Sequence, residues 1–230
     1  MDQQQITTIV TVLLVLGFIA LIFGVLVVAM IIGRRRAQER TRQLASVATL
    51  LGWQFSETTS LNWIPNLEKF ALFSQGHSKS ITNAMYGETD GVKAAVFDYQ
   101  YTVGHGKNRS TYNQSVVYFE PHNLSLPFFS LRPEGIFHKL ISAFGYQDID
   151  FGNRPTFSSK YLLRGPDELA VRACFNDALL GFYEMNSGAS TDGGGNQLFI
   201  FRQNQRAAPH ETQAFVNWAL QLQRLYGSRW

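Results

Sequence analysis

Hydrophobic residues follow three different rhythms along this chain. Residues 6–32 are apolar apart from Thr7, Thr8 and Thr11, and carry no charge. Such a run has neither a stripe nor an alternation. It is apolar all round, the pattern of a helix immersed in lipid. About 20 apolar residues suffice to cross a hydrocarbon layer of roughly 30 Å. The 27 residues here would reach about 40 Å at 1.5 Å per residue, enough to cross with tilt to spare. A cleaved signal peptide needs a basic leader and an apolar run of only about 7–15 residues. Met1-Asp2-Gln3-Gln4-Gln5 has no basic side chain, and the run is too long. The sequence therefore predicts a transmembrane anchor over 1–33.

The second rhythm has period two. Over 92–103, Ala95, Phe97, Tyr99, Tyr101 and Val103 share one face while Asp98, Gln100 and Thr102 share the other. This predicts a half-buried antiparallel strand. Residues 104–110 form a hairpin tip, 114–119 return, and 128–131 add a further strand. Upstream, 81–86 with the turn Glu88-Thr89-Asp90-Gly91 predicts another hairpin arm. Trp53-Gln54-Phe55, 157–163 and 197–202 are also expected to be extended.

The third rhythm is helical. Leu44, Val47, Ala48 and Leu51 fall on one face of a helix over 36–51, with Gly52 placed to close it. A short helix is expected over 136–144. Pro166-Asp167-Glu168 opens another with proline in the first turn and acids at the positive end of the dipole. Its stripe runs through Val171, Cys174, Phe175, Ala178, Leu179 and Phe182, so one helix is expected over 168–183. From Pro209 a last helix carries Phe215, Trp218, Ala219, Leu222, Leu225 and Tyr226 on one face. Residues 187–196, containing Ser190-Thr191-Asp192-Gly193-Gly194-Gly195, predict a flexible loop. Strands in a meander with helices between and after them define an α+β fold with a largely antiparallel sheet. The expected division is an anchor over 1–33, a basic juxtamembrane helix over 34–52 and a cytosolic α+β domain over 53–230.

Charge settles the orientation expected of the anchor. Arg34, Arg35, Arg36, Arg40 and Arg42 crowd its C-terminal flank with a single acid, Glu39, whereas the N-terminal flank holds only Asp2. Basic residues close to a span stay on the cytoplasmic side, so the N-terminus is expected outside and everything after Gly33 inside the cell membrane. The same arginines are the expected contact with the membrane surface. Each cation near anionic headgroups contributes about 1 kcal/mol. Together with Glu39 and Asp2 they account for the whole net charge of +3, so residues 43–230 are neutral, with 15 basic against 15 acidic side chains. A nucleic-acid partner is thus not expected, since its footprint needs basic residues on the domain itself. Cys174 is the lone cysteine, which permits no internal disulfide and fits a reducing compartment.

Three segments carry a family resemblance: 126–134 (LPFFSLRPE), 157–167 (FSSKYLLRGPD) running into the helix from Glu168, and 87–91 (GETDG). Together they resemble a loose group of uncharacterised bacterial membrane-anchored proteins that pair one or two spans with a soluble α+β domain. The likeness covers residues 43–185. It implies the architecture and brings no activity.

Local chemistry is sparse. His77, His105, His122, His138 and His210 show no ligand spacing, and no cysteine pair accompanies them, so no metal is expected. Cys174 sits on an apolar stripe, not in the electropositive, open setting of a nucleophile. Gly104-His105-Gly106-Lys107 joins two strands, and Gly193-Gly194-Gly195 precedes one. A phosphate cradle needs its glycines between strand and helix, so these predict a hairpin tip and a linker, and no cofactor is expected. Asp148 and Asp150 would share a face if they stood on a strand. Arg132 and Glu134, around Pro133, predict a local ion pair.

Three functions remain open to the sequence. The first is a membrane-tethered, non-catalytic module that binds a protein or lipid partner. The second is an enzyme with a dispersed site drawing on Glu134, His138, Asp148 and Asp150. The third is a structural subunit of a membrane complex, although Gly17 and Gly24 lie seven apart and make no small-xxx-small face.

Overall fold

A computed structural model describes residues 2–60, 62–135 and 147–227. The chain forms two compact units, Met1–Gln43 and Leu44–Trp230. The first is helical from Gln3 onward. Helix α1 (Gln3–Leu51) begins there and runs on without a break into the second unit. Residues Leu13–Leu51 include an 18-residue window apolar and long enough to cross a membrane, and none of that window is buried.

In the second unit the last two turns of α1 belong to the core, with Leu44 and Ala48 buried. The helix stops where the sequence predicts. Gly52 takes φ +69°, and the Trp53 N–H donates to the Ala48 carbonyl at 2.8 Å, closing the last turn.

Among the described residues eight antiparallel strands follow, interspersed with helices, so the α+β expectation holds. They are β1 (Gln54–Thr58), β2 (His77–Thr89), β3 (Val92–Val103), β4 (Ser110–Glu120), β5 (Leu126–Pro133), β6 (Tyr161–Arg164), β7 (Ser190–Gly195) and β8 (Gln197–Phe201). Their order across the sheet is β1-β2-β3-β4-β8-β7-β5-β6. Asp90 (φ +50°) and Gly91 (φ +73°) make the tight β2–β3 turn, as positive φ at both central positions requires.

Both faces of the sheet are covered. On one, Val96, Val117, Phe119, Leu198 and Ile200 pack with Val171, Phe175, Leu179, Tyr183, Val216, Ala219 and Tyr226. These last seven come from α4 (Glu168–Cys174) with its C-cap Phe175, α5 (Asp177–Met185) and α6 (Thr212–Gly227). On the other face, Phe97, Tyr99, Tyr101, Val116, Tyr118, Phe199 and Phe201 pack with Ile64, Phe70, Leu72 and Phe73. The latter group lies on the segment 62–76, which includes the one-turn α2 (Ala71–Ser74). Strand β3 alternates in the register read from sequence, but its polar face is not wet, because Asp98 and Thr102 are buried. Alternation marks faces; it does not show that one of them meets water.

Three further expectations need correction. Residues 187–196 are not a flexible loop: Ser190–Gly195 form a strand between β5 and β8, buried in all but its last residue. The predicted helix over 168–183 is two helices. The first ends at Cys174 with Phe175 as its C-cap, and Asn176 caps the second, its side chain accepting from the Leu179 N–H at 2.9 Å. The stretch 157–163 is only half extended, since α3 (Pro155–Ser158) precedes β6. The helix expected over 136–144 lies outside the described residues.

Segment 62–76 is tied to the sheet by a buried ion pair. Arg132 and Asp192 meet at 2.7 Å and 2.9 Å with both side chains almost wholly buried. Arg132 therefore pairs across strands with Asp192, not locally with Glu134. The free face of the pair is used as well. The Leu72 N–H donates to Asp192 Oδ2 at 2.7 Å, and Arg132 donates to the carbonyls of Leu131 and Thr191. Its guanidinium lies 4.8 Å from the Phe201 ring centre.

Candidate binding site

The β8–α6 connection builds a cavity whose walls combine cations with aromatic rings. Strand β8 ends at Phe201, and the chain turns at once, the Gln205 N–H donating to the Arg202 carbonyl at 3.2 Å. Residues 202–207 are then clamped to β4. The Ser115 N–H donates to the Gln205 carbonyl, the Asn113 N–H to Asn204 Oδ1, the Asn204 N–H to Gln114 Oε1, and the Ala207 N–H to Ser115 Oγ. Asn204 adopts φ +54°, which asparagine tolerates better than most residues. Two arginines are thereby presented from a fixed backbone.

Opposite them stands α6. Trp218 is held by its indole N–H, which donates to Asn186 Oδ1 at 3.1 Å, and by the rings of Phe182 and Phe215, each with its centre 5.8 Å away. The Arg202 guanidinium lies 5.2 Å from the Trp218 ring centre. Arg206 donates to Asn113 Oδ1 at 3.0 Å and stands 4.0 Å from buried Asp98. That carboxylate is already engaged by the Asn83 amide and the Ser115 hydroxyl. Arg202, Arg206, Glu211, Phe215 and Trp218 line a cavity of about 280 Å³ together with Gln205, Ala207 and Ala214. Its rim holds two cations and one acid in a domain that is neutral as a whole.

The residues singled out from sequence are placed elsewhere. Arg34, Arg35, Arg36 and Arg42 are exposed and Arg40 is half-buried, all on α1. At 3.6 residues per turn these five spread over about two-thirds of the helix circumference and roughly 12 Å of its length, forming a broad collar. Asp148 lies in a loop, not on a strand. It is half-buried, and its Oδ1 accepts from the N–H groups of Ile149 and Leu163, at 3.1 and 2.8 Å. Burial pushes its carboxyl above the ordinary range. Asp150 and Glu134 are exposed, and His138 lies outside the described residues. His77 and His105 stack with ring centres 4.8 Å apart. His77 Nε2 is 3.0 Å from the Gly104 carbonyl, which can only accept, so that nitrogen carries the proton.

Cys174 fits its reading as a packed thiol. Burial pushes its pKa up to about 11, because the thiolate is poorly solvated there. At pH 8 only about one thiol in a thousand would be ionised, and the thiolate is the reactive form. Alkylation by iodoacetamide at pH 8 should therefore run at least tenfold slower in the native protein than after denaturation. Equal rates would show that Cys174 is open to solvent.

Sequence reasoning missed Arg202 and Arg206. Both look like ordinary polar residues between a strand and a helix, and Trp218 reads as a core residue of α6. The one local signal is a pair of arginines four apart directly after an apolar strand.

Fold and site together define the class: an α+β domain that follows a long apolar helix in the chain and carries a cationic, aromatic-walled cavity. No protein-family model and no curated protein matches the chain. Among solved structures, the mycobacterial trehalose monomycolate transport factor A, TtfA, is similar. The TM-score is 0.55 at 12% identity, covering 81% of this chain and 95% of that one. What the two share is the fold.

Proposed function

We propose that this chain is a single-pass membrane protein whose folded domain lies in the cytoplasm as a non-catalytic module binding lipid or a protein partner. The observation that carries the reading is the apolar stretch of α1, whose membrane-length window is unburied among the described residues and is followed by five arginines. Exposing that surface to water would cost about 25 cal/mol per Å², whereas lipid removes the cost. The arginine collar then sits at the headgroup level on the inner side, where anionic lipids attract it. A lipid-related role is supported by the shared fold, because the similar structure is that of a trehalose monomycolate transport factor.

The test is a protease-protection experiment on the full chain with a tag at each end. In sealed right-side-out cells, the C-terminal domain should survive added protease and resist extraction by alkaline carbonate. In inverted vesicles it should be cut. Digestion of the domain in intact cells, or its release by carbonate, would sink the reading.

A further inference from the structure

From the geometry of the β8–α6 cavity we infer that it binds the oxyanion of an amphiphile, a phosphate or carboxylate headgroup, between Arg202 and Arg206 with the adjoining stem against Trp218 and Phe215. The inference deepens the reading of the domain as a binding module and rests on it.

Charge provides the first argument. Among the described residues the ion pairs of the domain join most of its buried or half-buried cations to a carboxylate, as Arg132 to Asp192, Arg154 to Asp177 and Glu184, and Arg172 to Glu168. Arg202 is held differently. Its guanidinium rests on the Trp218 ring, and an indole face attracts a cation without neutralising it. The fork of N–H donors stays available to a ligand, and its planar geometry suits two oxygens of one anion. Arg206 adds a second cation whose nearest carboxylate, at 4.0 Å, already accepts two shorter hydrogen bonds.

Rigidity provides the second. Four hydrogen bonds fix residues 202–207 to β4, and Asn186 with Phe182 and Phe215 fixes the indole. Such a site gives up little side-chain freedom on binding.

Size and wall chemistry provide the third. A volume of about 280 Å³ falls just below the range of roughly 300–1,000 Å³ typical of sites that enclose a drug-sized ligand. It admits a headgroup and the first carbons of its stem, not a whole lipid. Phe215, Trp218 and Ala214 give that stem an apolar wall. Glu211, which is 64% exposed, stands at the rim and disfavours a second negative charge.

The experiment uses the full chain in dodecyl maltoside micelles, with dodecyl phosphate as probe, followed by phosphorus-31 line broadening. Inorganic phosphate is the headgroup-only arm. The wild-type protein should broaden the dodecyl phosphate signal saturably, while R202Q/R206Q should bind roughly tenfold more weakly or less, as expected for loss of charge-assisted hydrogen bonds. Arginine-to-lysine replacement at 202 should lose only a few-fold, and Trp218→Leu should weaken dodecyl phosphate more than inorganic phosphate. The collar at Arg34–Arg42 is present in every variant, so the difference reports the cavity. Arginine-dependent binding of inorganic phosphate at equal strength also supports an oxyanion site and makes a free anion its source. Binding unchanged in R202Q/R206Q, or no binding to wild type in either arm, overturns the inference. Neither of these outcomes touches the topology, which the protease experiment decides separately.

Discussion

Replacing Asp192 with alanine will destabilise the folded domain by roughly 3–5 kcal/mol, the usual cost of removing one partner from a buried ion pair. The substitution strands the guanidinium of Arg132, a residue only 4% exposed, where water cannot replace the lost carboxylate. It also removes the acceptor of the Leu72 N–H, itself a loss of about 1–3 kcal/mol if nothing replaces it. The two losses share one carboxylate and will not simply add. For a domain of this size the melting temperature should fall by on the order of 10 °C or more, measured by circular dichroism in neutral detergent. Segment 62–76 hangs on that carboxylate through Leu72, so proteolysis within it should rise in parallel. Asp192→Asn keeps an acceptor for Leu72 and should lie between wild type and D192A. The double variant R132M/D192L removes both charges and should recover much of the loss, as apolar replacements of buried pairs often do. A loss below about 1 kcal/mol in D192A would mean that water reaches Arg132, and that the pair does not hold the segment down.

This ion pair also marks the limit of what the sequence discloses. Arg132 and Asp192 are 60 residues apart, and next to Arg132 stands Glu134, a plausible local partner. Nothing local says that β7 will lie beside β5. Features decided within a few residues were legible. The alternation of 92–103 gave β3 and its antiparallel return; Gly52 ended α1; the stripe from Phe215 to Tyr226 gave α6. The break at Asn176 was also written locally, as a capping asparagine followed by Asp177, but the apolar stripe running through it concealed the signal. What failed was whatever depends on neighbours in space. Ser190-Thr191-Asp192-Gly193-Gly194 has the composition of a turn, yet it forms a strand because β5 and β8 offer backbone partners on both sides. The buried polar face of β3 misled for the same reason. Asp98 is covered by a loop more than 100 residues further on, whose Arg206 stands 4.0 Å away. The candidate cavity belongs to this second kind. Arg202, Arg206 and Trp218 become neighbours only when α6 folds back over the end of β8.

The glycines of β7 give the second large effect, and they separate two explanations of why a strand should be so glycine-rich. If the glycines only provide flexibility, Gly193→Ala and Gly194→Ala should behave alike. Packing says otherwise. A Cβ on Gly193 would lie 2.3 Å from Phe129 Cε1, and one on Gly194 would lie 2.4 Å from Phe128 Cδ1. Phe129 is buried, with the rings of Phe175 and Tyr226 5.1 and 5.5 Å from its own. It has nowhere to go. Phe128 is 37% exposed, with Lys69 and Phe70 against its ring, so it can swing toward solvent. Gly193→Ala should therefore cost roughly 2–3 kcal/mol, in the range of overpacked cores, and Gly194→Ala less than about 1 kcal/mol by the same reasoning. Trimming the obstructing ring should relieve the first: F129L combined with G193A ought to lose less than the two single losses together, the sign of direct contact. Additive losses in that pair, or equal costs at 193 and 194, would show that the rings do not set the glycine requirement and that backbone freedom does.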